Sequence, residues 1–191
     1  MKDKRTIFIS LFLLIIVAAL YRVIPGRPFG FAPQYAMAIF GGAVFIKDKK
    51  WAFALPLISM FISDALYEVL YHFGITTLQG FYEGQWLNYL LFALLTTIGF
   101  LVKKIKIINV LLASLAAPTV YFLLSNFFVW TSGGGWARPK TFDGLLMCYN
   151  DALPFYPNSL YATVLFSVVL FGGYYLLQSK NKLAEQPVRR F

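Results

Sequence analysis

The 191 residues hold one cysteine, Cys148, and one histidine, His72. A lone cysteine excludes an intramolecular disulfide and says nothing of the compartment. Together the two exclude metal clusters built on Cys and His, leaving a carboxylate-only site as the remaining option, and no metal or cofactor is expected. Charge is scarce as well. Charged residues make up 13% of the chain, where a soluble domain carries about 25%. No Gly-x-Ser-x-Gly elbow and no nucleotide-binding loop occur, which removes those routes to hydrolysis. Cys148 with His72 as its base has no supporting local motif, and a lone Cys in an amphipathic segment is ordinarily packing. The chain reads as no enzyme. The net charge of +9 comes without any basic-aromatic module, so nucleic acid is not expected as a partner.

What the chain has is apolar length. Hydrophobic residues make up 59% of it, more than one soluble core can hide, so lipid must solvate much of the surface. Six apolar runs cover 6–24, 33–46, 51–73, 86–102, 107–129 and 159–178. Most approach the ~20 residues that a helix needs to cross a hydrocarbon core. The basic residues fall on alternate sides of these runs. Lys2, Lys4 and Arg5 precede the first. Lys47, Lys49 and Lys50 follow the second, Lys103, Lys104 and Lys106 the fourth, and Lys180, Lys182, Arg189 and Arg190 the last. Only Arg22, Arg27, Arg138 and Lys140 lie in the other connections, so 13 of 17 basic residues share one side. This positive-inside pattern predicts an all-α polytopic membrane bundle. It forms one domain over 1–180 with six transmembrane helices, both termini cytoplasmic, and a cytoplasmic tail at 181–191. The second run is short and begins at Pro33, but without a crossing there every later loop would invert, so it is expected to span. The first run resembles a signal peptide near Ala18 and Ala19, but no clean cleavage site follows, and it is expected to stay. The membrane is expected to be the cytoplasmic (inner) one. Trp51 is expected at its inner interface and Trp86, Trp130 and Trp136 at the outer one.

The outer connections are long and patterned, and 142–153 within the last of them predicts a short amphipathic helix. Polar residues gather toward that side. Asp64 and Glu68 lie four apart in the third run and so share a helix face. Ionisable groups in a bilayer usually face the bundle interior or water, and two like charges so spaced need a proton or a cation between them. The alternatives are a helix-packing hydrogen bond for Asp64 and an interfacial position for Glu68. Asn88, Asn126, Asp151 and Asn158 lie at a similar depth. With the carboxylates they are the candidate lining of an outward-facing pocket, against ordinary capping and loop chemistry. Ala38 and Gly42 form a small-xxx-small pair that admits a close helix, either within the chain or from a partner subunit. Ala113, Ala116 and Ala117 offer a second such surface.

Several stretches are similar to an uncharacterised bacterial family of small integral membrane proteins labelled as transport proteins. They are Leu-Tyr-Arg-Val-Ile-Pro at 20–25, Phe31-Ala-Pro33, Ala36-Met-Ala-Ile-Phe-Gly-Gly-Ala43, Ser125-Asn-Phe-Phe-Val-Trp130, Gly144-Leu-Leu-Met-Cys148-Tyr and Leu153-Pro-Phe-Tyr-Pro-Asn158-Ser-Leu160. More distantly, the architecture resembles the substrate-binding S component of energy-coupling factor vitamin transporters. That resemblance implies a lid at 25–33, pocket residues Asp64 and Asn126, and a docking face at Ala38 and Gly42. It also implies a transmembrane coupling subunit with separate ATPases as partner. The chain departs from the family pattern at Gly26, Arg27 and Gly30 in the first loop and at Tyr161 and Ala162 in the sixth run, which points to altered specificity. The function expected is therefore a substrate-binding membrane subunit for uptake of a small organic molecule such as a vitamin. A scaffold for a partner complex is the alternative, and a proton- or cation-coupled carrier using Asp64 and Glu68 the third.

Overall fold

A computed structural model describes residues 2–184, with side chains described over 10–178. The elements are α1 (Lys2–Arg22), α2 (Gln34–Val44), α3 (Lys49–His72), α4 (Gln85–Phe100), α5 (Ile107–Ser132), α6 (Phe142–Ala152), a 3₁₀ turn (Leu153–Phe155) and α7 (Tyr156–Ala184). No strand occurs among the described residues. Three helical stretches are long and apolar enough to cross a membrane: Lys49–His72, Ile107–Ser132 and Phe142–Gln178. Ser10–Arg22, Gln34–Val44 and Gln85–Phe100 are apolar but shorter. The helix expected over 142–153 is α6, capped by the Thr141 hydroxyl, which accepts from the Gly144 amide at 3.2 Å.

Inside the bundle, buried serines, threonines and alanines sit among larger apolar side chains such as Met37, Ile39, Leu55, Met60 and Leu95, while many other large apolar side chains lie outside. Ser59, Ser63, Thr96, Ser114, Thr163 and Ser167 are buried, as are Ala18, Ala19, Ala36, Ala38, Ala52 and Ala162. Phe12, Val17, Phe61, Leu112, Val168 and Leu177 are exposed. In water this arrangement would be unstable, because apolar side chains gain nothing by facing solvent. In lipid it is the expected one, since close packing of small residues and interhelical hydrogen bonds then replace the hydrophobic effect.

Helix α2 is the axis. It runs 11 residues, about 16 Å at ~1.5 Å per residue, against a hydrocarbon core of ~30 Å. Every residue from Gln34 to Gly42 is buried, so α2 meets protein on all sides. Two glycines permit this. A Cβ on Gly42 would fall onto the Thr96 carbonyl and Gly99 of α4, and one on Gly41 onto the Ala52 carbonyl of α3. Pro56, inside α3, lacks the N–H that would bond the Ala52 carbonyl, and the bare Cα of Gly41 faces that carbonyl instead. Ala38 and Gly42 are thus buried inside the chain, against its own helices, and present no surface to a partner.

These packings also fix which ends coincide. Gln34 reaches the Ala18 carbonyl while Gly42 meets Gly99. The connections at 45–48 and 101–106, with their lysines, therefore lie at one end of the bundle. The connections at 23–33, 73–84 and 133–141 lie at the other. The first of these is tied down by α7, where Asn158 Nδ2 donates to the Phe29 carbonyl at 3.0 Å and Ser159 Oγ to the Gly30 carbonyl at 3.2 Å.

Overpacking at the α2–α4 contact should be severe. Gly42→Val is expected to destabilise by about 1–3 kcal/mol or more. Gly172→Ala, where a side chain meets nothing within 4 Å, should stabilise by roughly 0.5–1 kcal/mol, the usual gain of replacing a helix-interior glycine. Thermal unfolding in detergent of the two variants beside the parent checks both.

Candidate functional site

The polar residues converge at the end opposite the lysine clusters, around Asp64. Only 1% of this side chain is exposed, and its Oδ1 is paired with the Arg22 guanidinium from the last turn of α1. The same Arg22 nitrogen donates to Ser63 Oγ at 2.6 Å, and the Ser63 hydroxyl in turn donates to the Met60 carbonyl at 2.8 Å. Asp64 Oδ2 accepts from Gln85 Nε2 at 2.5 Å and from Tyr89 OH at 2.6 Å. Helices α1, α3 and α4 are therefore stapled through one carboxylate.

That carboxylate orients everything beyond it. An ionised carboxylate only accepts, so Gln85 must present its amide nitrogen. Its Oε1 is then turned to Asn88, whose Nδ2 donates at 2.8 Å. Asn88 Nδ2 also donates to Tyr82 OH at 2.6 Å, and Asn88 Oδ1 accepts from Tyr121 OH at 2.6 Å. A directed chain thus runs from Tyr121 on α5 through Asn88 and Gln85 to Asp64 and Arg22. Tyr82 lies in the connection 73–84, half-exposed, and the partial burial of its hydroxyl pushes it above the ordinary tyrosine range. Around Tyr121, the rings of Tyr35 and Phe92 pack at centroid distances of 5.2 and 5.4 Å.

Arg22 also closes the loop that follows it. Its carbonyl, one of the orphan acceptors at the end of α1, accepts from Tyr67 OH at 2.7 Å and from Arg27 Nε at 3.2 Å. Arg27 in turn donates to the Phe31 carbonyl at 2.5 Å. Arg27, one of the departures in this loop, is the residue that holds its backbone together.

Of the six candidate binding residues, the structure joins Asp64 and Asn88 in one network. The other four have separate partners. Glu68 Oε2 accepts from the amides of Gly80 and Phe81 at 3.1 and 3.0 Å, and its Oε1 lies 3.2 Å from His72 Nε2. The cation beside Asp64 is Arg22, and Glu68 is turned away to the loop. Asn126 Nδ2 donates to the Phe122 carbonyl of its own helix at 2.7 Å. Asp151 forms a two-bond pair with Arg138 at 2.8 and 2.9 Å, and the carboxylate holds that guanidinium above the ordinary arginine range. Asn158 anchors the first loop, as described. Cys148 Sγ lies 3.5 Å from the Asn126 carbonyl. Among the described residues, no group of three His, Cys, Asp or Glu is placed to hold a metal ion.

Arg22, Gln85, Tyr82, Tyr89 and Tyr121 were not among the residues that sequence reasoning singled out. A signal existed for Arg22: an arginine closing an apolar run on the side that basic residues avoid, at the depth of an acid two runs away. The tyrosines had none, because an aromatic near a membrane interface reads equally as an anchor. Beside the network, at the same end, lies a cleft of about 770 Å³ between the start of α4 and the end of α5. Tyr82, Trp86, Asn88, Ser125, Phe128 and Ser132 are among its walls.

Helices throughout the described residues, an apolar exterior, three helices long enough to cross a bilayer and an acid buried against an arginine are the profile of a membrane protein. The chain belongs to the family of unknown function DUF6580, whose profile matches residues 2–186. No curated protein matches it, and no solved structure does.

Removing one member of the ion pair leaves a buried charge unpaired, at about 3–5 kcal/mol. Asp64→Leu and Arg22→Met should each lower the thermal midpoint in detergent strongly. The Arg22→Met/Asp64→Leu double variant should lose clearly less than their sum, and a double-mutant cycle on unfolding measures that coupling.

Proposed function

We propose that the protein is a six-span subunit of the cytoplasmic membrane, termini inside, that binds a small organic molecule from the outer face for uptake and performs no chemistry of its own. The observation that carries this reading is that Tyr82 and Asn88 belong both to the Asp64 chain and to the walls of the outer cleft. The cleft falls within the ~300–1,000 Å³ of ordinary ligand pockets. Trp86 and Phe128 offer ring faces to a flat molecule, and Asn88, Ser125 and Ser132 offer hydrogen bonds. A ligand that bonds Asn88 competes with Tyr121 and Gln85, so its binding is felt at the carboxylate that staples α1, α3 and α4. In this way occupancy of the cleft is coupled to helix arrangement, which an S-component-like subunit needs in order to signal a coupling subunit and its ATPases. The docking surface for such a partner lies elsewhere than Ala38 and Gly42.

One observation favours the alternative, a membrane scaffold. Both oxygens of Asp64 are already engaged by the chain's own donors, as a purely structural staple requires. Native mass spectrometry of the protein purified in mild detergent from its own host separates the two. A co-purifying small molecule that is lost in Asn88→Leu supports the binding subunit. Retention of the molecule in that variant, or its absence from the parent with neighbouring subunits in its place, overturns it.

A further inference from the structure

A second cleft, of about 870 Å³, opens between the first half of α5 and the middle of α7. Its walls include Lys106, Leu111, Val168, Phe171, Gly172 and Tyr175. We infer that it binds one anionic phospholipid from the leaflet at the lysine end of the bundle.

Three observations carry this. The first is shape. Deep in the cleft, α5 and α7 are joined by a buried hydrogen bond of 2.8 Å between Ser114 Oγ and Ser167 Oγ. Toward Lys106 the cleft stays open, because Gly172 has no side chain and no atom lies within 4 Å of where one would begin. The second is length. From Lys106 to Ser114 is about 12 Å of helix, and from Val164 to Tyr175 about 16 Å, at ~1.5 Å per residue. One leaflet of a ~30 Å hydrocarbon core has that depth. The cleft therefore accommodates an acyl chain lying along the bundle, from the lysine end to the serine pair.

The third is charge. Lys106 lines the mouth, with Lys103 and Lys104 beside it in the chain and exposed. Among the described residues, none of the three is paired with a carboxylate. The Tyr175 ring, 71% exposed, stands at the same mouth, the depth at which amphipathic rings meet headgroups. Apolar walls closed by the serine pair at one end and by unpaired cations at the other match a molecule with a hydrocarbon tail and an anionic head. A partner helix would fill the apolar length but would leave the lysines without counter-charge. The inference is independent of whether the outer cleft takes a substrate.

The test is native mass spectrometry of the full chain in detergent, titrated with phosphatidylglycerol and, separately, with phosphatidylcholine of the same acyl chains. One phosphatidylglycerol is expected to bind in preference to phosphatidylcholine. Lys106→Glu should reduce that preference by about fivefold or more, the factor for one basic residue at an anionic surface. Gly172→Trp should suppress the bound lipid by filling the cleft, with a thermal midpoint no lower than the parent's. Val168→Trp, from an exposed position in the same wall, should do the same and serves if Gly172→Trp fails to fold. Equal binding of the two lipids, or a preference that survives both the charge reversal and the filling variant, would overturn the site. So would a dimer mass that the filling variant abolishes, because the cleft would then belong to a second copy.

Discussion

The Arg22–Asp64 ion pair is the constraint on which the polar end of the molecule depends. A charged group inside a helical bundle in lipid is tolerated only where its partner and hydrogen bonds are in place. Here each oxygen of Asp64 has its donors, from α1 on one side and α4 on the other. The consequence is geometric as well as energetic. A carboxylate that can only accept fixes the amide of Gln85, which fixes Asn88, which fixes the proton of Tyr121. One buried charge thereby sets the direction of a chain that crosses three helices, and low dielectric strengthens each link.

The remainder of the bundle is held by close approach. In α2 the absence of side chains at Gly41 and Gly42 allows backbone to meet backbone on two sides. Pro56 makes room on one of them by freeing a carbonyl that the glycine then faces. Lipid offers no hydrophobic gain for bringing helices together, so contact area between small residues and buried hydroxyl bonds such as Ser114–Ser167 must supply it. This is why buried serines, threonines and alanines share the core with Met37, Leu55 and Leu95 while many large apolar side chains face outward.

The two ends differ in kind. At one, arginines and acids are paired, loops are hydrogen-bonded to helices, and tyrosines and asparagines meet a cleft. At the other, Lys103, Lys104 and Lys106 stand exposed beside an apolar cleft, with no carboxylate partner among the described residues. The asymmetry matches two different neighbours, a small molecule approaching one face and an anionic lipid surface against the other, and both proposals rest on it.

Much of this was legible in the residues. Apolar runs and alternating basic clusters were enough to expect helices and to sort the connections into two groups, because length and charge placement are local properties that survive folding. The depth of Asp64 and Asn88 was legible for the same reason. What could not be read was which groups meet. Arg22 lies 42 positions from Asp64 and Tyr121 lies 33 from Asn88, and such pairings depend on how helices turn about their axes. Residue type alone could not separate Asp64, stapled in the core, from Glu68, which four positions on is held by loop amides. Nor could it show that Ala38 and Gly42 are consumed within the chain, because a small residue marks a close approach without saying whose helix approaches. Helices, the grouping of their ends and the depth of the acids follow from local composition. The partners follow from the folded bundle alone, because rotation and register of one helix against another depend on packing summed over all of it.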